Sequence, residues 1–397
     1  MAIAPTRPAL LDADFYSFQD VLTPVEREAA ARLRDFLERE IRPIADDQWD
    51  RAEFPHQVIP GLAELGILGP MWPETARFTN SAVFRGWAAL ELARVDCSIA
   101  TFVGVTSGLA MGSIGIGGST EQRAAWLPAM GRGELVGAFG LTEPLAGSDT
   151  ARGLRTTATR RGDTWILDGA KRWIGNATFA DVTVIMAKDT ADDRVKAFLV
   201  RKGTPGFTAT KIERKQALRT VQNADITLTG VAVPESDRLA GIDSFRDVAK
   251  ILRATRANVA WQAIGVSVGA YEAAVRYARE REQFGKPIGA YQLVQNKLAG
   301  ALADITASIA LCVRVSQMQD AGVQRDEHAA MAKAFTTARM RETVARCREI
   351  LGGNGIQLDH GVARYFADAE AVYSYEGTHD MNTLIVGRAI TGHQAFV

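Results

Sequence analysis

Apolar residues recur along this chain with three different spacings. From about Thr23 to Gly133 the spacing is helical. Thr23 followed by Pro24 is a hydroxyl cap with proline in the first turn, and Val25 to Ile41 carries acids early and mixed charges later. Ser119 with Gln122 three residues on is a capping-box signature ahead of Ala124, Ala125, Trp126 and Leu127, and Gly131-Arg132-Gly133 breaks the pattern. Between about Ala138 and Asp243 the period shortens to two. Thr164 to Leu167 follow an Arg161-Gly162-Asp163 turn, Val182, Val184 and Met186 alternate, and Ile226, Leu228, Val231 and Val233 mark a further strand. The punctuation, Pro205-Gly206 included, predicts a small antiparallel sheet rather than crossover helices. From about Ser244 long helices return. Residues 244–282 contain no proline and would span about 55 Å. A break at Phe284 to Gly289 follows, then a stripe of Val294, Leu298, Leu302, Ile305 and Ile309, then a helix from about Arg325 to Leu351. The fold class expected is α+β: an N-terminal helical domain over 1–137, a middle antiparallel β domain over 138–243 and a C-terminal helical bundle over 244–397.

Composition narrows the function. With 397 residues, 47% of them hydrophobic, the chain can bury more than one core. Lys plus Arg and Asp plus Glu each total 46, so no global field favours nucleic acid, and any bound anion must be met by local groups. Cys97, Cys312 and Cys347 are far apart and outside metal spacing, and the five histidines do not pair as ligands, so neither disulfides nor a metal site is expected. No uninterrupted apolar run reaches the length of a membrane span, the first residues lack the pattern of a leader, and the last four are not a peroxisomal address. A cytoplasmic protein that does not insert into membranes is the expectation.

Five segments could carry chemistry. Tyr375-Glu376-Gly377-Thr378-His379-Asp380 sets a carboxylate between an aromatic ring and a glycine. Burial there would raise its basicity and the glycine would let a flat substrate approach, although the same residues also suit a solvated loop. Phe139-Gly140-Leu141-Thr142-Glu143-Pro144-Leu145-Ala146-Gly147-Ser148-Asp149 offers freed amides and the hydroxyls of Thr142 and Ser148 to an acceptor-rich heterocycle or a phosphate, or forms an interdomain turn. In Gly169 to Asn176, Trp173 can pack on an aromatic cofactor while Gly175 permits close approach, or Trp173 is a core residue. Arg281, Gln283 and Phe284, with Gln292, could hold a pyrophosphate and cover an adenine. Leu351-Gly352-Gly353-Asn354-Gly355 ends a helix and could admit a ligand or a neighbouring subunit. The absence of GxGxxG after a strand, of a P-loop and of GxSxG disfavours Rossmann, P-loop and serine-hydrolase readings.

Taken together, LTEPLAGSD, KRWIGN, REQFGKPI, LGGNGI and YEGTHD, in this order and over nearly the whole chain, resemble the acyl-CoA dehydrogenase and oxidase superfamily. SYEGTHD and GRAITG are most similar to its glutaryl-CoA dehydrogenase group, and KRWIGN, TFAD and VQN to plant-type short-chain acyl-CoA oxidases. The resemblance implies an FAD enzyme, usually a homotetramer with a C-terminal four-helix bundle. It converts a saturated, here short-chain, acyl-CoA to the trans-2-enoyl-CoA, with hydride passing to flavin N5 and electrons to an electron-transfer flavoprotein. It makes Glu376 the base for the α-proton, with its backbone N–H as one donor to the thioester oxygen. It lines the flavin with Phe139, Leu141, Thr142, Gly147, Ser148, Trp173, Ile174 and Gly175. It brings Arg281, Gln283, Phe284, Gln292, Leu351, Gly352 and Gly353 to FAD from a neighbouring subunit, sets Thr378 and Asp380 on its dinucleotide part, and puts Ser148, Arg256, Tyr375 and Gly377 near the substrate.

Two departures qualify that resemblance. Where glutaryl-specific members carry an arginine for the distal carboxylate, this chain has Ala100, so decarboxylation of a dicarboxylic substrate is not expected. Where most dehydrogenases carry a Thr or Ser beside flavin N5, it has Gly175, which opens space there and makes an oxidase that reduces O₂ to H₂O₂ the rival. A non-catalytic acyl-CoA-binding scaffold is the rival from another class.

Overall fold

The computed structural model describes residues 13–394. Helices α1 (Pro24–Phe36), α2 (Arg42–Arg51), α3 (Ile59–Glu64), α4 (Ala82–Val95), α5 (Cys97–Val103), α6 (Met111–Gly117) and α7 (Thr120–Gly131) come first. Strands β1 (Gly137–Gly140), β2 (Thr157–Arg161), β3 (Thr164–Ile174), β4 (Val182–Asp189), β5 (Val195–Arg201), β6 (Phe207–Lys211) and β7 (Ala224–Pro234) follow. Helices α8 (Phe245–Glu280), α9 (Gln292–Asp320), α10 (Asp326–Ile350), α11 (Val362–Ser374) and α12 (His379–Thr391) complete the chain.

Helix starts are set by local chemistry. Thr23 caps α1 in a reciprocal box with Glu26, whose second oxygen also accepts from Ser81 N at 2.6 Å and so ties α1 to the start of α4. Ser119 and Gln122 form the same box on α7, and the Gln122 amide then reaches the carbonyls of Ser236 and Arg238 beyond the sheet. With no proline inside it, α8 runs unbroken for 36 residues and buries apolar side chains on α4, α10 and α11.

In the sheet the pairs β2–β3, β3–β7, β6–β7 and β4–β5 are antiparallel. Two pairings are parallel instead. β1 lies along the start of β4, and the first two residues of β2 lie along its end. The reason is entry direction: β1 arrives from the helices, and the chain loops away through 141–156 before it returns, so β1, β2 and β4 run the same way. A register shift in β3 between Lys171 and Ile174 places Trp173 at φ 65° with its side chain 51% exposed.

Between α5 and α6 the helix continues as a π-turn, Gly104–Ala110. Among the described residues, two helical stretches would suffice by mean hydropathy and length to cross a membrane, Cys97–Gly117 and Gln292–Asp320; polar residues interrupt both, so neither is an uninterrupted apolar run. The first is largely buried inside the fold, as a core helix must be, and the second packs on α8 and α10.

The three regions meet at Asp368 on α11. Its carboxylate accepts from the Trp49 indole of α2 at 2.8 Å and from Leu218 N, in the loop between β6 and β7, at 2.6 Å. Burial pushes its pKa up to about 6, with Arg364 opposing. Asp368→Ala leaves two buried N–H donors unpaired, and we expect it to lower unfolding free energy by about 2–4 kcal/mol, measured by denaturant titration.

Candidate functional site

Glu376 stands on the tight turn between α11 and α12, in the left-handed region at φ 54°, with Gly377 following at φ 84°. That conformation costs a residue with a β-carbon about 1–2 kcal/mol, and its neighbours hold it. The fully buried Lys333 of α10 donates from Nζ to the carbonyls of Tyr373, at 2.9 Å, and Gly377, at 2.6 Å. Asn382 of α12 donates to the same Gly377 oxygen at 2.8 Å and to Thr378 O at 3.0 Å. A β-carbon at 377 would stand 3.2 Å from the Asn382 amide. Burial lowers the Lys333 ammonium to about 8, with Glu376 opposing that shift and Arg256 adding to it.

The Glu376 carboxylate keeps a partly open face but is otherwise enclosed, and burial raises its pKa above the usual carboxylate value. Thr255 on α8 opposes the rise by donating its hydroxyl to Oε2 at 2.9 Å, and Arg256 and Lys333 oppose it by charge. The Glu376 backbone N–H has no acceptor among the described residues. Arg256 likewise has no hydrogen-bond partner among them, and its Nε is buried. Tyr375 is fixed by its hydroxyl, which donates to Gln262 Oε1 at 2.7 Å, while Gln262 Nε2 donates to Ala100 O at 3.2 Å.

Beside this turn lies a cavity of about 110 Å³ whose walls include Thr255 and Trp261 of α8, Ala100 of α5, Gly86 of α4, and Gly104 and Gly108 of the π-turn. The π-turn joins this cavity to the segment Gly169 to Asn176. Gly104 and Gly108 face the cavity, while a β-carbon at Gly175 would stand 3.2 Å from Val105 Cγ2, and Asn176 Nδ2 donates to Thr106 Oγ1 at 3.2 Å. The space expected beside Gly175 is therefore bounded by Val105.

The segment from Leu141 to Asp149 is pinned from beneath. Glu143 accepts from the buried Lys171 at 2.7 Å and from Arg155 N and Thr156 N, and Lys171 also donates to Leu141 O. Above that anchor Thr142 is half-buried and Gly147 and Ser148 are exposed, with nothing within 4 Å of a β-carbon at 147. The side chains of Phe139, Ile174 and Leu351 are core residues, so what these positions present outward is main chain. Leu141 is buried too, at 6% exposure.

The remaining expected cofactor residues point away from the core. Arg281, Gln283 and Phe284 stand on a two-stranded hairpin, with Phe284 94% exposed, and Gln292 is exposed at the start of α9. Gly352 and Gly353 are exposed with no neighbour where a β-carbon would be, and Thr378 and Asp380 are exposed at the start of α12. Sequence reading missed Thr255, Lys333 and Asn382. Lys333 did leave a signal, a cation between Ala332 and Ala334 on the apolar face of α10.

Family models match in three consecutive parts: acyl-CoA dehydrogenase N-terminal domain over residues 23–134, middle domain over 138–231 and C-terminal domain over 245–391. An acyl-CoA dehydrogenase of Bacillus subtilis is 33% identical over 365 residues, 91% of this chain and 96% of that one. A short-chain-specific acyl-CoA dehydrogenase of Megasphaera elsdenii is 31% identical over 380 residues, 93% and 98% of the two chains. The crystal structure of a glutaryl-CoA dehydrogenase from Mycobacterium smegmatis in complex with FADH2 superimposes with a TM-score of 0.93 at 35% identity, covering 98% of this chain and 100% of that one.

Two substitutions test the turn. Lys333→Met removes a charged donor from two carbonyls, and we expect a loss of about 2–3 kcal/mol in unfolding free energy, read by thermal unfolding. Thr255→Val removes the hydrogen bond that favours the ionised carboxylate, so the Glu376 pKa rises further. The acid limb of the kcat/KM profile then moves to higher pH.

Proposed function

The chain belongs to the acyl-CoA dehydrogenase family, and from that premise we propose that it oxidises a short-chain acyl-CoA thioester to the trans-2-enoyl-CoA and passes the electrons to an electron-transfer flavoprotein. The observation that carries this is a strained, enclosed carboxylate, Glu376, next to a cavity of about 110 Å³. An apolar cavity of ~150 Å³ houses a benzene ring, so this one suits an acyl group of only a few carbons.

FAD, when bound, supplies the two-electron acceptor for the hydrogen that leaves the β-carbon as hydride. The residues present fit such a group: the half-exposed Trp173, Thr142, Gly147, Ser148 and the main chain at Leu141 and Ile174 would hold the ring. Arg281, Gln283, Phe284, Gln292, Gly352 and Gly353 would reach the FAD of another copy, which is our ground for reading the protein as a homotetramer; their exposure supports it.

The protein's part is proton chemistry and placement. Glu376 takes the α-proton, and its unspent backbone N–H donates to the thioester oxygen as that oxygen gains charge. Entry of the acyl chain covers the open face of the carboxylate, removes water and raises its basicity further, while Thr255 keeps it oriented. Tyr375, held through Gln262, closes one side, and the unpartnered Arg256 guanidinium is available to an anionic or carbonyl group of the CoA.

Glu376→Gln is expected to bind flavin and butyryl-CoA as the parent protein does and to reduce its flavin at least ~10⁴-fold more slowly under anaerobic conditions, followed by flavin absorbance. Rapid bleaching in that variant would refute the role of Glu376. With Val105 bounding the space beside Gly175, the reduced parent enzyme should be reoxidised quickly by electron-transfer flavoprotein and slowly by air; fast peroxide release without added acceptor would mark an oxidase.

A further inference from the structure

The cavity that holds the acyl group in the reading above is not uniformly apolar, and several of the side chains that line it are polar. Asn258 is one helical turn beyond Thr255 on the same side of α8, about 4.5 Å further along its axis, and both line the cavity. One turn further, Trp261 is seated against the backbone of Gly86, where a β-carbon would come within 2.1 Å of the indole. Its Nε1 donates to Ser316 Oγ on α9 at 3.0 Å, and the Ser316 O–H has no acceptor among the described residues. Gln319, one turn along α9 from Ser316, and Arg85 of α4 also line the cavity.

The amides of Asn258 and Gln319 have no hydrogen-bond partner among the described residues. Both side chains are half-buried, and an alkyl tail packed against them would shield them from water without offering a partner, which is costly for an amide. The cation nearby does not offer a free charge. Arg85 Nη1 donates to Asn80 O at 3.0 Å and Asn80 Oδ1 at 2.9 Å, and Nη2 lies 3.6 Å from Asp320. At the position that carries an arginine in a carboxylate-binding pocket this chain has Ala100, which is buried in the cavity wall.

Resting on the acyl-CoA reading above, we infer that the preferred substrate is a short acyl-CoA whose tail carries a neutral hydrogen-bonding group, a hydroxyl, oxo or amide, received by Asn258 and Gln319, rather than a plain alkyl chain or a carboxylate. Asn258 is then a specificity-determining residue, one turn from the group that orients the base.

Three thioesters of matched length separate the cases: 4-hydroxybutyryl-CoA, pentanoyl-CoA and glutaryl-CoA. Binding is measured by calorimetry to the flavin-loaded Glu376→Gln protein, where no turnover intervenes. The expected result is that 4-hydroxybutyryl-CoA binds at least tenfold more tightly than either of the others, and that adding Asn258→Val or, on α9, Gln319→Leu reduces that ratio about tenfold. Equal or tighter binding of pentanoyl-CoA, with a ratio indifferent to both substitutions, overturns the inference and leaves the acyl-CoA reading intact. Tightest binding of glutaryl-CoA overturns it in favour of charge recognition by Arg85. Failure of all three to bind overturns the acyl-CoA reading and this inference with it.

Discussion

The Gly377 carbonyl oxygen receives two side-chain donors, Lys333 and Asn382, and the placement of the Glu376 carboxylate depends on that junction. A free turn would not hold Glu376 at φ 54°. Here an ammonium taken wholly out of water grips the end of α11 and the start of α12 at once, so the turn is bound to α10 instead of being left to its own propensity. The arrangement is costly to bury, as the lowered proton affinity of Lys333 indicates. Its return is a carboxylate whose direction is set by the fold, which in the function proposed above leaves little reorganisation for the reaction itself.

The same economy of motion recurs under the segment from Leu141 to Asp149. Glu143 and Lys171 pair in the interior and hold the main chain from below, leaving the upper surface to Thr142, Gly147 and Ser148. In both places the sequence supplies a buried charge pair or cation as a fastening, and the residues next to it as the exposed working surface.

How much of this was legible depends on the reach of each interaction. The capping boxes at Thr23 and Ser119 and the unbroken run of α8 are local, and they were readable from neighbouring letters. Glu376 draws notice in the sequence because an aromatic ring and a glycine flank it, and the structure sets it in a partly enclosed turn. Thr255, which donates to it, lies 121 residues away in sequence, and no periodicity connects the two. The parallel pairing of β1 with β4 was hidden for the same reason: alternation identifies a strand but not the direction of its partner. Phe139, Ile174 and Leu351 illustrate another limit, since a motif names a position without saying whether its side chain or its main chain is used.

The π-turn at Gly104–Ala110 has a consequence for how the chain can change. It fits an extra residue into the helical ladder, and the helix leaving it is rotated by about 100° relative to an uninterrupted α-helix. Gly104 and Gly108 can thus look into the cavity while Val105 and Thr106 look toward Gly175 and Asn176. Loss of one amino acid here would close the ladder into an ordinary α-helix and leave α6, with Ile114, in place, while removing the bulge that turns Gly104 and Gly108 toward the cavity. The width of the cavity is thus inherited as a count of residues in this one turn.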